Sequence, residues 1–256
     1  MLPYFYESTN IIEIGTDEVG RGPLFGRVYA ASVILPKSDD FDHFRMKDSK
    51  KFHSEKKIKQ MSEYIKQNAL AWSIHYETEA TIDEINILHA SQRAIRKSII
   101  NTYEIYKSKN IPNNDHKFHI IVDGNYFKPL MVHNKETESF NEIPYDCIVG
   151  GDNTYSAIAA ASILAKVARD EYIYELCEQY PSLRDQYSIH TNKGYGAKKH
   201  LDGIKQYGIT PWHRTTFGIC KQYSKLNECK RYLESNIISA IIVEDDDKSD
   251  EIKAIV

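Results

Sequence analysis

The run Gly15-Thr16-Asp17-Glu18-Val19-Gly20-Arg21-Gly22-Pro23 sets two adjacent carboxylates against an arginine bracketed by glycines. Carboxylates gather hard cations. An arginine between glycines, where backbone N–H groups can come close to a ligand, suits a phosphate. Asp123-Gly124 and Gly150-Gly151-Asp152 each place a further acid beside glycine. Four carboxylates at one place repel one another unless cations lie between them, which argues for a divalent-metal site over a salt-bridge cluster. With oxygen ligands only, Mg2+ or Mn2+ is favoured over Zn2+. Singly, the later acids also have plainer readings: Asp152 can cap a helix, and Asp123-Gly124 can be a turn.

Secondary structure must bring these residues together. Residues 11–16 and 28–35 read as strands joined by the glycine loop, 70–76 as a third, 118–122 as a fourth ending at Asp123, and 145–149 as a fifth. Helical patterns cover 54–68, with Ser54 as N-cap, and 81–106, where Thr81 precedes Ile82, Ile85 and Leu88. A third helix, about 155–179, is apolar nearly all round from 157 to 167 and is therefore expected to be buried. In an α/β sheet, residues past the carboxyl ends of strands converge on one edge. Asp17, Glu18 and Asp123 meet there if their strands are neighbours, and Asp152 approaches from the start of the buried helix. The polar stretches 107–117 and 129–143 are expected to be loops, and short helices are expected near 197–207 and 222–235.

The chain has 256 residues, 41% hydrophobic and 27% charged, enough to bury a real core. No apolar run approaches the ~20 residues that span a bilayer. Cys147, Cys177, Cys220 and Cys229 lie far apart with no CxxC or zinc spacing, as free thiols of a reducing compartment would. A soluble, cytoplasmic protein with no membrane partner is the expectation. The net charge of −3 is dominated by residues 244–256, which carry six acids against two lysines and are expected to be a disordered tail. The remainder is locally basic, with one crowd of lysines at 47, 50, 51, 56, 57 and 59 and another basic group at Lys193, Lys198, Lys199, His200, His213 and Arg214. Such patches can steer a polyanion, although a lysine run is more often a solvated face.

Asp17-Glu18-Val19-Gly20-Arg21-Gly22-Pro23-Leu24 resembles the opening motif of ribonuclease HII, the type 2 ribonucleases H. Further motifs follow in order: Asp48-Ser49-Lys50-Lys51, Ile82-Asp83-x-x-Asn86-Ile87, Val122-Asp123-Gly124-Asn125 and the segment from Gly151-Asp152 through Arg169-Asp170. Lys193-Gly194-Tyr195-Gly196 and His213-Arg214-x-x-Phe217 complete the set. The resemblance covers residues 11 to 217. It implies a ribonuclease H-like α/β fold, a central mixed five-stranded sheet flanked by helices. Residues 1–217 would form the catalytic domain, 218–243 a C-terminal helical extension and 244–256 the acidic tail.

The implied activity is cleavage of the RNA strand of RNA–DNA hybrids, and nicking of duplex DNA on the 5′ side of embedded ribonucleotides to leave 3′-hydroxyl and 5′-phosphate ends. Asp17, Glu18, Asp123 and Asp152 carry over as the catalytic acids, holding two Mg2+ or Mn2+ ions. Gly20, Arg21 and Gly22 carry over as the loop that senses the 2′-hydroxyl, and Tyr195 as the aromatic that stacks on the next sugar. Lys47, Lys50 and Lys166 are implied phosphate or supporting groups. A monomer is the family expectation.

Some residues depart from the family pattern. Gly150 stands where lysine is common and Ala197 where threonine is frequent. Thr191-Asn192 looks inserted, and residues 127–143 imply a longer loop. The related ribonuclease HIII usually has an extra N-terminal domain and a different loop. A non-catalytic hybrid-binding module that keeps the fold is the alternative from another class, and loss of one carboxylate would mark it.

Overall fold

The structure is a computed structural model and describes residues 2–6, 10–38, 41–109, 117–134 and 138–223. Its frame is a five-stranded sheet in the order β3-β2-β1-β4-β7. The strands are β1 (Ile11–Val19), β2 (Val28–Ile34), β3 (Ala71–Glu77), β4 (Lys117–Asp123) and β7 (Tyr145–Ile148). β2 runs antiparallel to both β1 and β3, whereas β1, β4 and β7 are parallel. The sheet is therefore mixed and five-stranded, as expected. β1 runs on to Val19, so Asp17 and Glu18 are strand residues paired with Ala31 and Ala30.

Alternation along the strands gives the sheet two apolar faces. Ile12, Ile14, Ala30, Ile34, Ile120 and Val122 pack against α2 (Glu79–Ser108) through Ala94, Ile95 and Ile99. Ala31, Val33 and Ile121 face α3 (Ser156–Gln179), and α1 (Glu55–Asn68) closes that side with Ile65. The first half of α3 is buried all round, and its alanines let it lie close on the sheet. Gly15 makes room for it: a Cβ there would stand 2.6 Å from the Cβ of Ala157. Between α2 and the sheet, Ser32 bonds Ser98 (2.6 Å) and Thr16 (3.1 Å), so the buried hydroxyls satisfy one another.

Four details differ from the sequence reading. Residues 129–143 hold a hairpin, β5 (Leu130–Asn134) and β6 (Ser139–Ile143), where a loop was expected. Leu130 and Ile143 pair across it and are buried against the α2 face, and that apolar pair decides the matter. α2 is broken at Asn86 (φ 65°), whose side chain accepts from the N–H groups of Leu88 and His89 and caps the second segment. α2 begins at Glu79 with Thr78 as its cap, two residues before the expected start. Ser54 holds the N-cap position of α1 without a side-chain cap bond. The expected helix 222–235 from residue 224 on, the tail 244–256 and Cys229 lie outside the described residues; Cys147, Cys177 and Cys220 are free thiols.

The C-terminal part folds back as α4 (Pro181–Asp185), α5 (Ile189–Asn192) and α6 (Lys198–Tyr207) against the far end of α3, around Phe25, Ile173, Leu183 and Tyr187. Two buried histidines tie it down. His213 Nδ1 accepts from the Thr210 amide at 2.9 Å, its Nε2 meets His200 Nε2 at 3.0 Å, and His200 Nδ1 donates to the Tyr195 carbonyl at 2.8 Å. The chain of bonds works with both rings neutral. Burial first, then His200, holds His213 well below the usual histidine range, and burial lowers His200 too. In the unfolded chain both protonate near pH 6.5. A depressed folded value therefore leaves their contribution intact above pH 6.5 and removes it as pH falls below. The expected loss is up to about 1.4 kcal/mol per pH unit for each histidine. Thermal unfolding followed from pH 8 to pH 5 should show this slope weakened in His213→Gln; an equal slope in both proteins would rule the pair out as its cause.

No described helix is long and apolar enough to cross a membrane.

Candidate active site

Parallel pairing of β1 with β4 reaches Thr16 opposite Val122. The next residue on each strand is Asp17 and Asp123, so two acids stand side by side, Asp123 as the last residue of β4 and Asp17 two residues before the end of β1. Asp17 is 6% exposed, and its Oδ1 accepts from the Glu18 N–H at 2.7 Å. Asp123 Oδ1 accepts from the Gly151 N–H at 2.7 Å, which brings the turn before α3 against β4. Gly150 enters that turn at φ +70°, a conformation that favours glycine over the lysine common in the family. Asp152 follows in a 3-10 turn (Gly151–Asn153), 4% exposed, and caps no helix. The structure thus brings the strand-end acids and Asp152 to one edge.

A fifth carboxylate joins them. Asp48, 7% exposed, caps the 3-10 turn Ser49–Lys51 by accepting from the Lys50 N–H, and Asn153 Nδ2 bridges its Oδ2 (3.4 Å) to Asp152 Oδ1 (3.1 Å). Lys50 Nζ stands 3.6 Å from Asp152. Against the burial that would lower it, Asp152, Asp48 and Asp17 hold the Lys50 ammonium above its usual value. Asp48 lay inside a motif visible in the sequence, but only the fold shows its carboxylate beside Asp152.

The acids destabilise one another's charge. Burial first, then Glu18, Asp123 and Asp152, pushes Asp17 well above the ordinary carboxylate value, while a bond from Ser162 opposes the rise. Burial raises Glu18, partly offset by Arg21, whose Nη1 lies 3.2 Å from Glu18 Oε1. Burial, Asp48 and Asp123 raise Asp152 against Lys50. Among the described residues no three acid, histidine or thiol side chains stand close enough to form a closed coordination shell. An all-oxygen donor set whose members lift each other's pKa fits hard divalent cations drawing the edge together.

The glycine loop abuts this edge through Arg21 and Glu18. Gly22 lies against the Tyr195 ring, since a Cβ on it would be 3.6 Å from Tyr195 Cε1, and Tyr195 is 47% exposed. The Leu24 N–H donates to the Gly194 carbonyl (2.8 Å), and Phe25 forms a β-bridge with His213. Two buried arginines hold the loop from beneath. Arg214 donates to the carbonyls of Gly20, Arg21, Pro23 and Gly26, and Arg169 to those of Phe25, Arg27 and Lys193. Residue typing alone did not mark either as a site residue, because the partners are backbone carbonyls far away in the chain. Lys47 lies over the Phe52 ring at 4.3 Å, and Lys166 pairs with Asp170 at 2.8 Å along α3; no described bond joins either to the acids.

Sheet order and acid placement define the class. The crystal structure of the ribonuclease H2 from Pyrococcus horikoshii shares the fold with a TM-score of 0.59 and 20% identity, covering 87% of this chain and 99% of that one. The family model for Ribonuclease HII matches residues 14–220. Ribonuclease HII of Parabacteroides distasonis is 42% identical over 217 residues, 85% of this chain and 94% of the relative. That of Phocaeicola vulgatus is 40% identical over 219 residues, 86% and 94% of the two chains. The chain belongs to the ribonuclease HII family. It is accordingly a ribonuclease H, an endonuclease.

Proposed function

We propose that the protein hydrolyses the RNA strand of RNA–DNA hybrids and nicks duplex DNA 5′ to embedded ribonucleotides in a divalent-metal-dependent reaction, leaving 3′-hydroxyl and 5′-phosphate ends. The observation that carries this is the convergence of Asp17, Glu18, Asp123 and Asp152 on one sheet edge, beside a glycine loop packed on Tyr195. The four acids would hold the ions, Mg2+ or Mn2+. When bound, such a pair supplies an activated water and neutralises charge on the phosphate and the leaving oxygen. The chain's own residues do the rest. The Gly151 amide orients Asp123, the Glu18 amide orients Asp17, and Lys50 beside Asp152 offers a cation to the phosphate. The Gly20–Gly22 loop would meet the 2′-hydroxyl, the group by which a protein tells RNA from DNA at one position. Tyr195 would stack on the following deoxyribose.

A labelled DNA duplex with one ribonucleotide, incubated with the protein and Mg2+ or Mn2+, tests the proposal. A single metal-dependent nick 5′ to the ribonucleotide is expected. Cleavage of a long hybrid without that nick would overturn the junction assignment and keep the metal site. Tyr195→Ala is expected to lower kcat/KM at the single ribonucleotide about tenfold more than on continuous hybrid, the worth of one aromatic stack. Equal losses on both substrates would argue against junction reading.

A further inference from the structure

The Gly20–Gly26 loop is shaped from its inner side. The carbonyls of Gly20, Arg21, Pro23 and Gly26 accept from the single Arg214 guanidinium at 2.6, 2.9, 2.9 and 2.8 Å. The Leu24 carbonyl accepts from the Arg214 backbone N–H at 2.8 Å. Arg214 and Arg169 are 0% and 1% exposed, and neither has a carboxylate at ion-pair distance among the described residues. Backbone carbonyl dipoles satisfy these two buried cations: those of the loop for Arg214, and those of Phe25, Arg27 and Lys193 for Arg169. Behind Arg214, Asp83 at the start of α2 accepts from the N–H and hydroxyl groups of both Thr215 and Thr216 at 2.5 to 3.0 Å, which anchors the segment.

Peptide planarity carries this arrangement to the outer side. Among the described residues no peptide bond is cis, so each C=O and the next residue's N–H point in opposite directions. Turning the Gly20 carbonyl inward to Arg214 turns the Arg21 N–H outward, and turning the Arg21 carbonyl inward does the same for the Gly22 N–H. Both residues are exposed, and neither N–H has a partner among the described residues. Pro23 then ends the run of donors. We infer that Arg214 is a positioning residue for ribonucleotide selectivity: by gathering the loop's carbonyls it presents the Arg21 and Gly22 N–H groups together to a ribose oxygen beside the scissile phosphate. The inference rests on the substrate reading given under Proposed function.

Binding measured in the cleavage-deficient Asp123→Asn background separates the two. The parent is expected to bind a duplex with one ribonucleotide about tenfold more tightly than the all-DNA duplex, the worth of one or two hydrogen bonds. Its Gly22 resonance in a 15N-glycine spectrum should move with the first duplex and not the second. Adding Arg214→Lys keeps the charge but cannot serve four carbonyls with three donors. It is expected to bring the affinity ratio near one, leave all-DNA affinity unchanged and still the Gly22 shift. Asp83→Asn, which loosens the anchor, should move the ratio the same way and serves if the lysine variant does not fold. A parent that discriminates, joined to variants that keep both the ratio and the shift, would overturn the role of Arg214 alone. A parent without discrimination would overturn the substrate reading and the inference with it.

Discussion

Asp17→Asn is expected to lower cleavage on the order of 10³-fold or more, to leave hybrid affinity nearly unchanged, and to stabilise the metal-free protein. The first two effects follow because the substitution removes a candidate metal ligand but no basic group. The third follows from burial. Asp17 is 6% exposed and, through desolvation and then Glu18, Asp123 and Asp152, its carboxyl lies well above the ordinary value. In the unfolded chain it titrates near 3.9. A raised folded value means that its contribution to stability is present below about pH 4 and is lost as pH rises through the folded value. Ionising the group as pH rises is therefore a liability that asparagine lacks. Thermal unfolding in EDTA should place the variant above wild type, and added Mg2+ or Mn2+ should raise wild type more than the variant. Asp123→Asn should share the catalytic loss. Near wild-type turnover in either variant would sink the assignment of these acids.

Gly15→Ala is expected to cost about 3 kcal/mol, a fall of roughly 6–12 °C in Tm, and to depress activity with it. The added Cβ would lie 2.3 Å from the backbone carbon of Ala157 and 2.6 Å from its oxygen, so the start of α3 would have to lift from β1. Flexible side chains can give way to a methyl group; a helix backbone seated on a strand cannot without moving as a unit. The same movement would draw the Gly151–Asn153 turn, and Asp152 within it, away from Asp17 and Asp123. Calorimetry on the purified variant checks this, and a wild-type Tm would show that the contact gives more easily than argued.

The placement of the candidate acids was legible because its cues are local. Apolar alternation marks β1, with Asp17 and Glu18 just before its last residue, and β4, which ends in Asp123, and the all-round apolar run marks α3 as buried. The β5–β6 hairpin was not, since only Leu130, Val132 and Ile143 carry its buried face within a polar stretch. The bend at Asn86 was hidden as well, because apolar periodicity continues across it and the break depends on one side chain bonding its own backbone. Lys166, expected as a phosphate or supporting group, pairs with Asp170 four residues on, a contact the sequence reading did not name.

By itself, the amino-acid sequence determined the chemistry available: carboxylates near the ends of strands, a glycine-bracketed arginine, and a helix apolar enough to be buried. Periodicity and residue type act over a few residues, so they can be read without the fold. Only tertiary structure decided which acids share charge, as Asp48 does with Asp152 across 104 residues of chain, and how the glycine loop is held. Arg214 has no partner near it in sequence that would mark its role. Its guanidinium finds four carbonyls on a loop near the other end of the described chain, and a buried cation without a carboxylate must be satisfied by whatever backbone the fold brings to it.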